Sequence, residues 1–260
     1  MKHNWNILGR KANLINENLE DFLQKNSQKF DLIYLDPARR DAQKNKKFLL
    51  EDLSPNLLEI QEKLGEISDE IIIKLSPLID ISYLLSVVKN VSKIEIIAVK
   101  NEVKELLVFI NRKNSHTDTE IKCVNLESTD PDFVFVFNDE KNAVAEYSDP
   151  HNFLYLPNNA VLKSGAFNTV AKKFKLLKLH ANTHFYTSDE VVEDFPGRVL
   201  KVGVTAPKQI LKGEKFNIIS KNYPLSPDEI KKKYKISDGG KTYLIFTQSQ
   251  KGRIILRSVE

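Results

Sequence analysis

FDLIYLDPARR, residues 30–40, decides how this chain is read. Phe30, Leu32, Ile33, Tyr34 and Leu35 form a short apolar run rich in β-formers, which reads as a fully buried strand of a parallel sheet. It stops at Asp36-Pro37, and Arg39 and Arg40 follow. In an open parallel sheet, ligands bind beyond the carboxyl ends of the strands, and Asp36 falls at such an end. Pro37 fixes its own φ and lacks an N–H, so it stops the ladder and sets the exit path of the chain. Carbonyl groups around it are then free to accept from a substrate amine. Arg39 and Arg40 are suited to holding a phosphate or to neutralising Asp36. The plainer reading is a strand-end aspartate capping the next loop, with two solvated arginines.

On both sides of this run, strand and helix alternate. Residues 2–9 read as a short helix ended by Gly9, ANLINEN (12–18) as a strand, and LEDFLQK (19–25) as a helix. Residues 37–53 form a charged loop. Ser54-Pro55 then opens a helix, with serine as cap and proline in the first helical position. Behind it, Leu57, Leu58, Ile60, Leu64 and Ile67 recur at near-helical spacing. EIIIKLSP (70–77) is a strand, DISYLLSVVKNV (80–91) a helix capped by Asp80, and KIEIIAVKN (93–101) a strand again. This rhythm predicts a parallel α/β sheet. Three strands with short links follow at 105–111, 121–127 and 133–138, and the short links predict antiparallel pairing.

A boundary is expected in EYSDPHNFLYLPNNA, which holds Pro150 and Pro157. Past it, residues 158–175 read as helical. FYTS, RVLKVGV, FNIIS, KTYLIFTQ and RIILRSV read as strands. Ser226-Pro227-Asp228-Glu229 is a capping box that opens a helix among them, and Asp238-Gly239-Gly240 reads as a turn. This half is a small α+β region.

The bulk numbers fit that division. A chain of 260 residues with 41% hydrophobic content has room for two domains. No run approaches the length of a membrane span, and MKHNWNILGRK lacks the features of a signal peptide. Cys123 is the single cysteine, which excludes a disulfide framework and a cysteine metal cluster. These features read as a cytoplasmic protein. The net charge of +4 hides an asymmetry: residues 1–150 carry 20 basic and 26 acidic side chains, residues 151–260 carry 19 and 9. A basic half of this kind is expected to meet a polyanion. Lys231, Lys232, Lys233 and Lys235, around Tyr234, form a basic helix, and Lys241, Lys251, Arg253 and Arg257 follow. With Arg198, after the Phe195-Pro196-Gly197 turn, they are candidates for RNA-backbone contacts that are salt-dependent and weak in sequence preference. The alternative is a solvated helix face. His180 and His184 have the spacing of a zinc pair on a helix, but their neighbours read as strand and turn and no H-E-x-x-H glutamate is present, so no metal is expected. His3, His116 and His151 have no evident partners. No Walker loop or G-x-S-x-G elbow occurs.

DLIYLDPARR resembles the substrate-side motif of class I S-adenosylmethionine (SAM)-dependent methyltransferases. There it follows the fourth strand, and nucleic-acid-modifying members carry Asp/Asn-Pro-Pro-aromatic or Asp-Pro-Pro-Arg. HNWNILGRKANLINENLEDFL resembles the helix, third strand and turn that precede the motif. The residue that contacts the adenine of SAM then falls at Glu17 or Asn18. An amide at Asn18 keeps an oxygen that can accept from the adenine amine. NNAVLKSGAFNTVAKKFKLLKLHANTHFYTSDEVVEDFPGRVLKV is similar to the ferredoxin-like module of a family of bacterial methyltransferases, and NYPLSPDEIKKKYKISDGGKTYLIFT to the THUMP-like domain that follows it there. THUMP domains accompany RNA-modifying enzymes.

The resemblance covers essentially the whole chain. It implies an α/β fold: a partial Rossmann-like class I methyltransferase sheet over 1–147, a ferredoxin-like module over 148–204 and a THUMP-like domain over 205–260. It implies SAM as cofactor and RNA as partner. Asp36, Pro37, Arg39 and Arg40 would serve the methyl acceptor, and Glu17, Asn18 and Asp36 the cofactor. Lys231, Lys232, Lys233, Lys235, Arg198 and Arg253 would serve the RNA. Ala38 stands where many relatives have a second proline or an aromatic residue, so the usual stacking ring is missing there. Nor do the chain's 9 glycines form a G-x-G turn near an early strand. The expectation is an N-terminally truncated enzyme, inactive alone, whose sheet edge beside residues 30–36 is open to a second copy of the chain. The alternative is a non-catalytic RNA-binding protein that keeps the remnant of an enzyme.

Overall fold

The run at 30–36 does form a strand, but a short one at the side of its sheet. In the computed structural model, residues 2–9, 11–39, 49–113 and 118–259 are described, and the chain divides into two units: Met1–Val91 with Val108–Ser115, and Ser92–Leu107 with His116–Glu260. The first unit holds α1 (Lys2–Ile7), α2 (Leu19–Lys25), β1 (Ile33–Leu35), β2 (Ala38–Arg39), β3 (Leu53–Ser54), α3 (Leu57–Ile67), β4 (Glu70–Leu75) and α4 (Ile81–Val87). The hairpin that follows, β5 (Val91–Val99) and β6 (Glu102–Asn111), belongs to the second unit except for its ends, and β6 finishes in the first. Strand order in the first unit is β1-β4-β6, with β1 parallel to β4.

β4 alternates, with Ile71, Ile73 and Leu75 buried, and α3 buries Leu57, Ile60, Leu64 and Ile67. β1 departs from the expected buried strand: Leu35 is buried, but Leu32 and Tyr34 are more than half exposed. The cause is position, because β1 ends the order and has only β4 beside it. ANLINEN forms no strand. Leu14 and Ile15 are exposed there, and an extended segment without a ladder partner gains nothing from strand geometry. The helix expected to open at Ser54-Pro55 begins at Leu57 instead. Ser54 is taken up by β3, which pairs with Ala38, and Asn56 is the cap, its Oδ1 accepting from the Leu58 N–H at 3.1 Å. Asp80 caps α4 as expected, accepting from the Tyr83 N–H at 2.8 Å.

The second unit adds β7 (Glu120–Leu126), β8 (Phe133–Val136), α5 (Asp139–Asn142), β9 (Phe153–Pro157), α6 (Asn159–Ser164), α7 (Phe167–Phe174), β10 (Leu177–His180), β11 (Thr183–Ser188), β12 (Gly197–Val204), β13 (Lys215–Ser220), α8 (Pro227–Tyr234), β14 (Ser237–Ser249) and β15 (Gly252–Ser258). Its first sheet runs β6-β5-β7-β8. The expectation of all-antiparallel pairing fails at β7, which lies parallel to β5 and antiparallel to β8. Lys100 and Asn101 both have positive φ and make a two-residue hairpin turn. The chain therefore leaves β6 at the starting end of β5, and the next strand on the far side of β5 must run with it.

The other sheet has seven strands in the order β10-β11-β9-β12-β15-β14-β13. β12 is its middle: residues 197–201 pair with β9 and residues 202–204 with β15. Residues 153–157, inside the stretch read as a boundary, thus form a central strand, with Leu154 and Tyr155 fully buried. One apolar cluster packs Leu154, Leu179, Phe185, Ile245 and Leu256; another packs Phe216, Ile230, Leu244 and Phe246. The helical stretch at 158–175 breaks at Gly165, which ends α6 in the left-handed region. Asp238-Gly239-Gly240 is not a free turn. It lies in the first part of β14, where pairing with β13 skips from Asp238 to Tyr243, and the Asn217 amide donates to the Gly240 carbonyl at 3.0 Å.

Candidate functional site

Parallel pairing sets Leu35 against Ile73, so the residues one step further, Asp36 and Lys74, stand together at the carboxyl ends of β1 and β4. Lys74 Nζ lies 2.6 Å from Asp36 Oδ2. The aspartate side chain is half exposed, which keeps the stabilisation small, below about 1 kcal/mol. The contact fixes the position of the carboxylate. Next to the pair, Pro37, Leu53, Leu75, Ser76 and Ile79 line a cavity of 190 Å³. This is the place where a parallel sheet offers a ligand site. Sequence reasoning passed over Lys74, although a lysine interrupting the apolar run of EIIIKL was a usable signal. It also passed over Tyr83, whose hydroxyl donates to Glu51 at 2.5 Å. Burial, and then the neighbouring Glu51 carboxylate, push its phenol up to about 12.

Glu17 and Asn18 lie at the start of α2. The Glu17 carboxylate pairs with Lys25 at 3.1 Å. Asn18 is the N-cap residue of α2, with no side-chain cap bond. The Arg39 backbone pairs with Leu53; its side chain, and all of Arg40, lie outside the described residues.

In the second unit the lysine run separates by role. Lys231 is engaged at the surface, 2.7 Å from Asp228 and 2.6 Å from Asp238. Lys232, Lys233 and Lys235 are exposed on α8 and its C-cap. The capping box at its start forms as expected, with Glu229 Oε2 accepting from the Ser226 N–H at 2.7 Å. Arg253 is exposed on β15. Arg198 is exposed on β12, its guanidinium 4.6 Å from the centre of the Tyr243 ring. Lys251 is paired with Asp149.

His180 and His184 fall on β10 and β11, not on one helix. His184 stacks on Phe167, ring centres 3.4 Å apart and 8° from parallel. Burial first, then the charges of Lys178 and Lys221, lower its pKa to about 4. His151 has partners the sequence did not reveal: Ser148 Oγ at 2.7 Å and Asp189 Oδ2 at 3.0 Å. The Asp189 side chain is 72% exposed, so the row works as a surface brace between residues 148–151 and the loop after β11.

Comparison with known proteins agrees with this architecture. Residues 153–196 match the family model of a ferredoxin-like domain, and residues 198–258 that of a THUMP domain-like family. Among solved structures, the chain is similar to one described as "Crystal structure of putative methyltransferase from Porphyromonas gingivalis W83". The two share 30% identity with a TM-score of 0.86, over 100% of this chain and 68% of that one. Among curated proteins, none matches the sequence.

Proposed function

Because this chain belongs to the family of methyltransferase-like proteins in which a ferredoxin-like module is followed by a THUMP-like domain, we propose that it serves the transfer of a methyl group from SAM to RNA. The observation that carries the reading is the Asp36–Lys74 pair at the carboxyl ends of two parallel strands, beside the cavity at Pro37. SAM, when bound, supplies a methyl carbon on a sulfonium, which a nitrogen lone pair attacks in line. Such an attack needs alignment more than a strong base. Asp36 accepts a hydrogen bond from the acceptor amine and fixes the direction of its lone pair, while Lys74 holds the carboxylate in place.

Glu17 is occupied by Lys25, and residues 11–18 are exposed and irregular. No step is assigned to Glu17 or Asn18. That observation favours a second reading, an RNA-binding protein that retains an enzyme remnant. RNA contact falls to Lys232, Lys233, Lys235, Arg253 and Arg198. No helix among the described residues is long and apolar enough to cross a membrane.

Filter binding of single-stranded RNA over a salt series tests the shared part. Replacing Lys232, Lys233, Lys235 and Arg253 with alanine is expected to lower the log–log salt slope by about 3, at roughly 0.7 per cation. An unchanged slope removes these residues from the interface. Calorimetry with S-adenosylhomocysteine separates the readings: saturable binding lost in Asp36→Ala supports the enzyme, and RNA binding without it supports the remnant. A second copy of the chain at the β1 edge is also proposed, resting on exposed Leu32 and Tyr34. Sedimentation is expected to show self-association that Tyr34→Lys abolishes; a monomer at all concentrations refutes it.

A further inference from the structure

A cavity of 450 Å³ belongs to the second unit and has no part in the Asp36 site. One wall is polar and braced. The Asn101 N–H donates to Asn125 Oδ1 at 2.8 Å, and the Asn125 and Asn158 amides both donate to Asp130 Oδ2, at 2.8 and 3.0 Å. Asn125 and Asn158 are more than nine-tenths buried. Asn159 closes the network, its N–H donating to Asn101 Oδ1 and its side-chain amide to the Asn101 carbonyl, both at 2.6 Å. A second wall is apolar, built by Leu156, Leu162, Phe185 and Ile219. The rim is cationic: Lys100, Arg198 and Lys221 face the cavity against one lining carboxylate, Asp130, which already accepts from two amides. Lys100 is paired with Glu127 at 2.9 Å. Arg198 rests on Tyr243, and no carboxylate among the described residues pairs with it or with Lys221.

Asn101 and Asn159 both line the cavity and are exposed. Among the described residues, Asn101 Nδ2 and Asn159 Oδ1 have no partner, which leaves one donor and one acceptor open to a ligand. Gly197 brings its backbone to the same cavity. A rim of cations, an apolar wall that includes the Phe185 ring, and an open donor and acceptor correspond to the three parts of a nucleotide: phosphate, base face and base edge. A volume of 450 Å³ accommodates one such unit.

The geometry points to a nucleotide-binding cleft that takes one nucleoside 5′-monophosphate unit, its phosphate on Arg198 and Lys221 and its base between Phe185 and the Asn101–Asn159 amides. The unit is either free or part of an RNA strand. Only the RNA source rests on the function proposed above.

Titration of the ¹⁵N-labelled chain with AMP, CMP, GMP and UMP tests it, read from the amide signals of Gly197, Asn101 and Asn159. The expected result is saturable shifts at these amides for at least one monophosphate, at least about tenfold tighter than its nucleoside. Lys221→Glu is expected to weaken that binding at least about tenfold, whereas Lys63→Glu, in the other unit, leaves it unchanged. No saturation, equal affinity for nucleoside and nucleotide, or indifference to Lys221→Glu overturns the proposal. So does inorganic phosphate binding as tightly as the monophosphates, which would reduce the cleft to an anion site. A ten-nucleotide RNA that displaces the monophosphate assigns the unit to a strand, and one that does not assigns it to a free nucleotide. RNA binding with a normal salt slope but a silent cleft sinks this inference alone. An occupied cleft in a chain that binds no RNA sinks the RNA reading alone.

Discussion

Gly197→Ala is expected to cost at least about 3 kcal/mol and to lower the melting midpoint of the second unit by roughly 6–12 °C. Gly197 has φ of +154°, and a Cβ built on it would lie 2.2 Å from the Leu156 carbonyl oxygen and 2.8 Å from the Asn158 nitrogen. Both obstacles are backbone and belong to neighbouring structure that cannot give way singly. Leu156 is paired with Arg198 across β9 and β12, and the Asn158 N–H is bound to the Pro196 carbonyl at 3.0 Å. The methyl group therefore forces β9 and β12 apart at the centre of the seven-stranded sheet. Gly203, on the same strand, is the control. Nothing lies within 4 Å of its Cβ position, and Gly203→Ala is expected to change stability by less than about 0.5 kcal/mol. Thermal melts of both variants decide the matter, and equal midpoints would show that the close approach at Gly197 is not limiting.

Acid is expected to destabilise the second unit through His184. The ring is half-buried against Phe167, its Nδ1 has no hydrogen-bond partner, and Lys178 and Lys221 oppose a positive charge on it. Its pKa is about 4 in the folded chain against 6.5 unfolded. Below pH 6.5 the unfolded chain takes up a proton that the folded chain refuses, so this contribution is complete above 6.5 and is lost as pH falls towards 4. At about 1.36 kcal/mol per pKa unit, and with a discount of about half for the ring's remaining contact with water, the loss is about 1–2 kcal/mol. Urea titrations at pH 7 and pH 4.5 are expected to show this difference in the native chain. His184→Phe keeps the stack, removes the orphaned nitrogen and is expected to reduce the pH dependence by that amount. A variant with the native slope would place the proton elsewhere.

The two halves of the molecule were legible in the sequence to different degrees, for physical reasons. Helices and strands with their own local signals came through: Asp80 as a cap, the Ser226–Glu229 box, and the apolar runs in β4, β14 and β15. Errors arose where pairing at a distance decides. ANLINEN has the composition of a strand, but composition supplies no neighbour. The turn at Lys100-Asn101 reverses the chain without a glycine or proline to announce it, so the parallel course of β7 could not be seen. At the site, Asp36 was found because a carboxylate after an apolar run is a local feature. Lys74 was missed because its partnership with Asp36 is created by register between strands about 40 residues apart. The ion pair of Lys231 with Asp238 was hidden for a similar reason: Asp238 is near in sequence, but only the bulged start of β14 delivers it to the lysine.

β12 gives its first five residues to β9 and its last three to β15. The ferredoxin-like match ends at residue 196 and the THUMP-like match begins at 198, so the seam between two recognisable sequence families falls at the first residue of this shared strand. A recombination event that cut there would leave the preceding module with an open strand edge along β9 and hand the following one a strand whose first five residues have lost their ladder. The two modules can be told apart as text, but in this protein they are inherited as one sheet, which is a reason for them to travel together through descent.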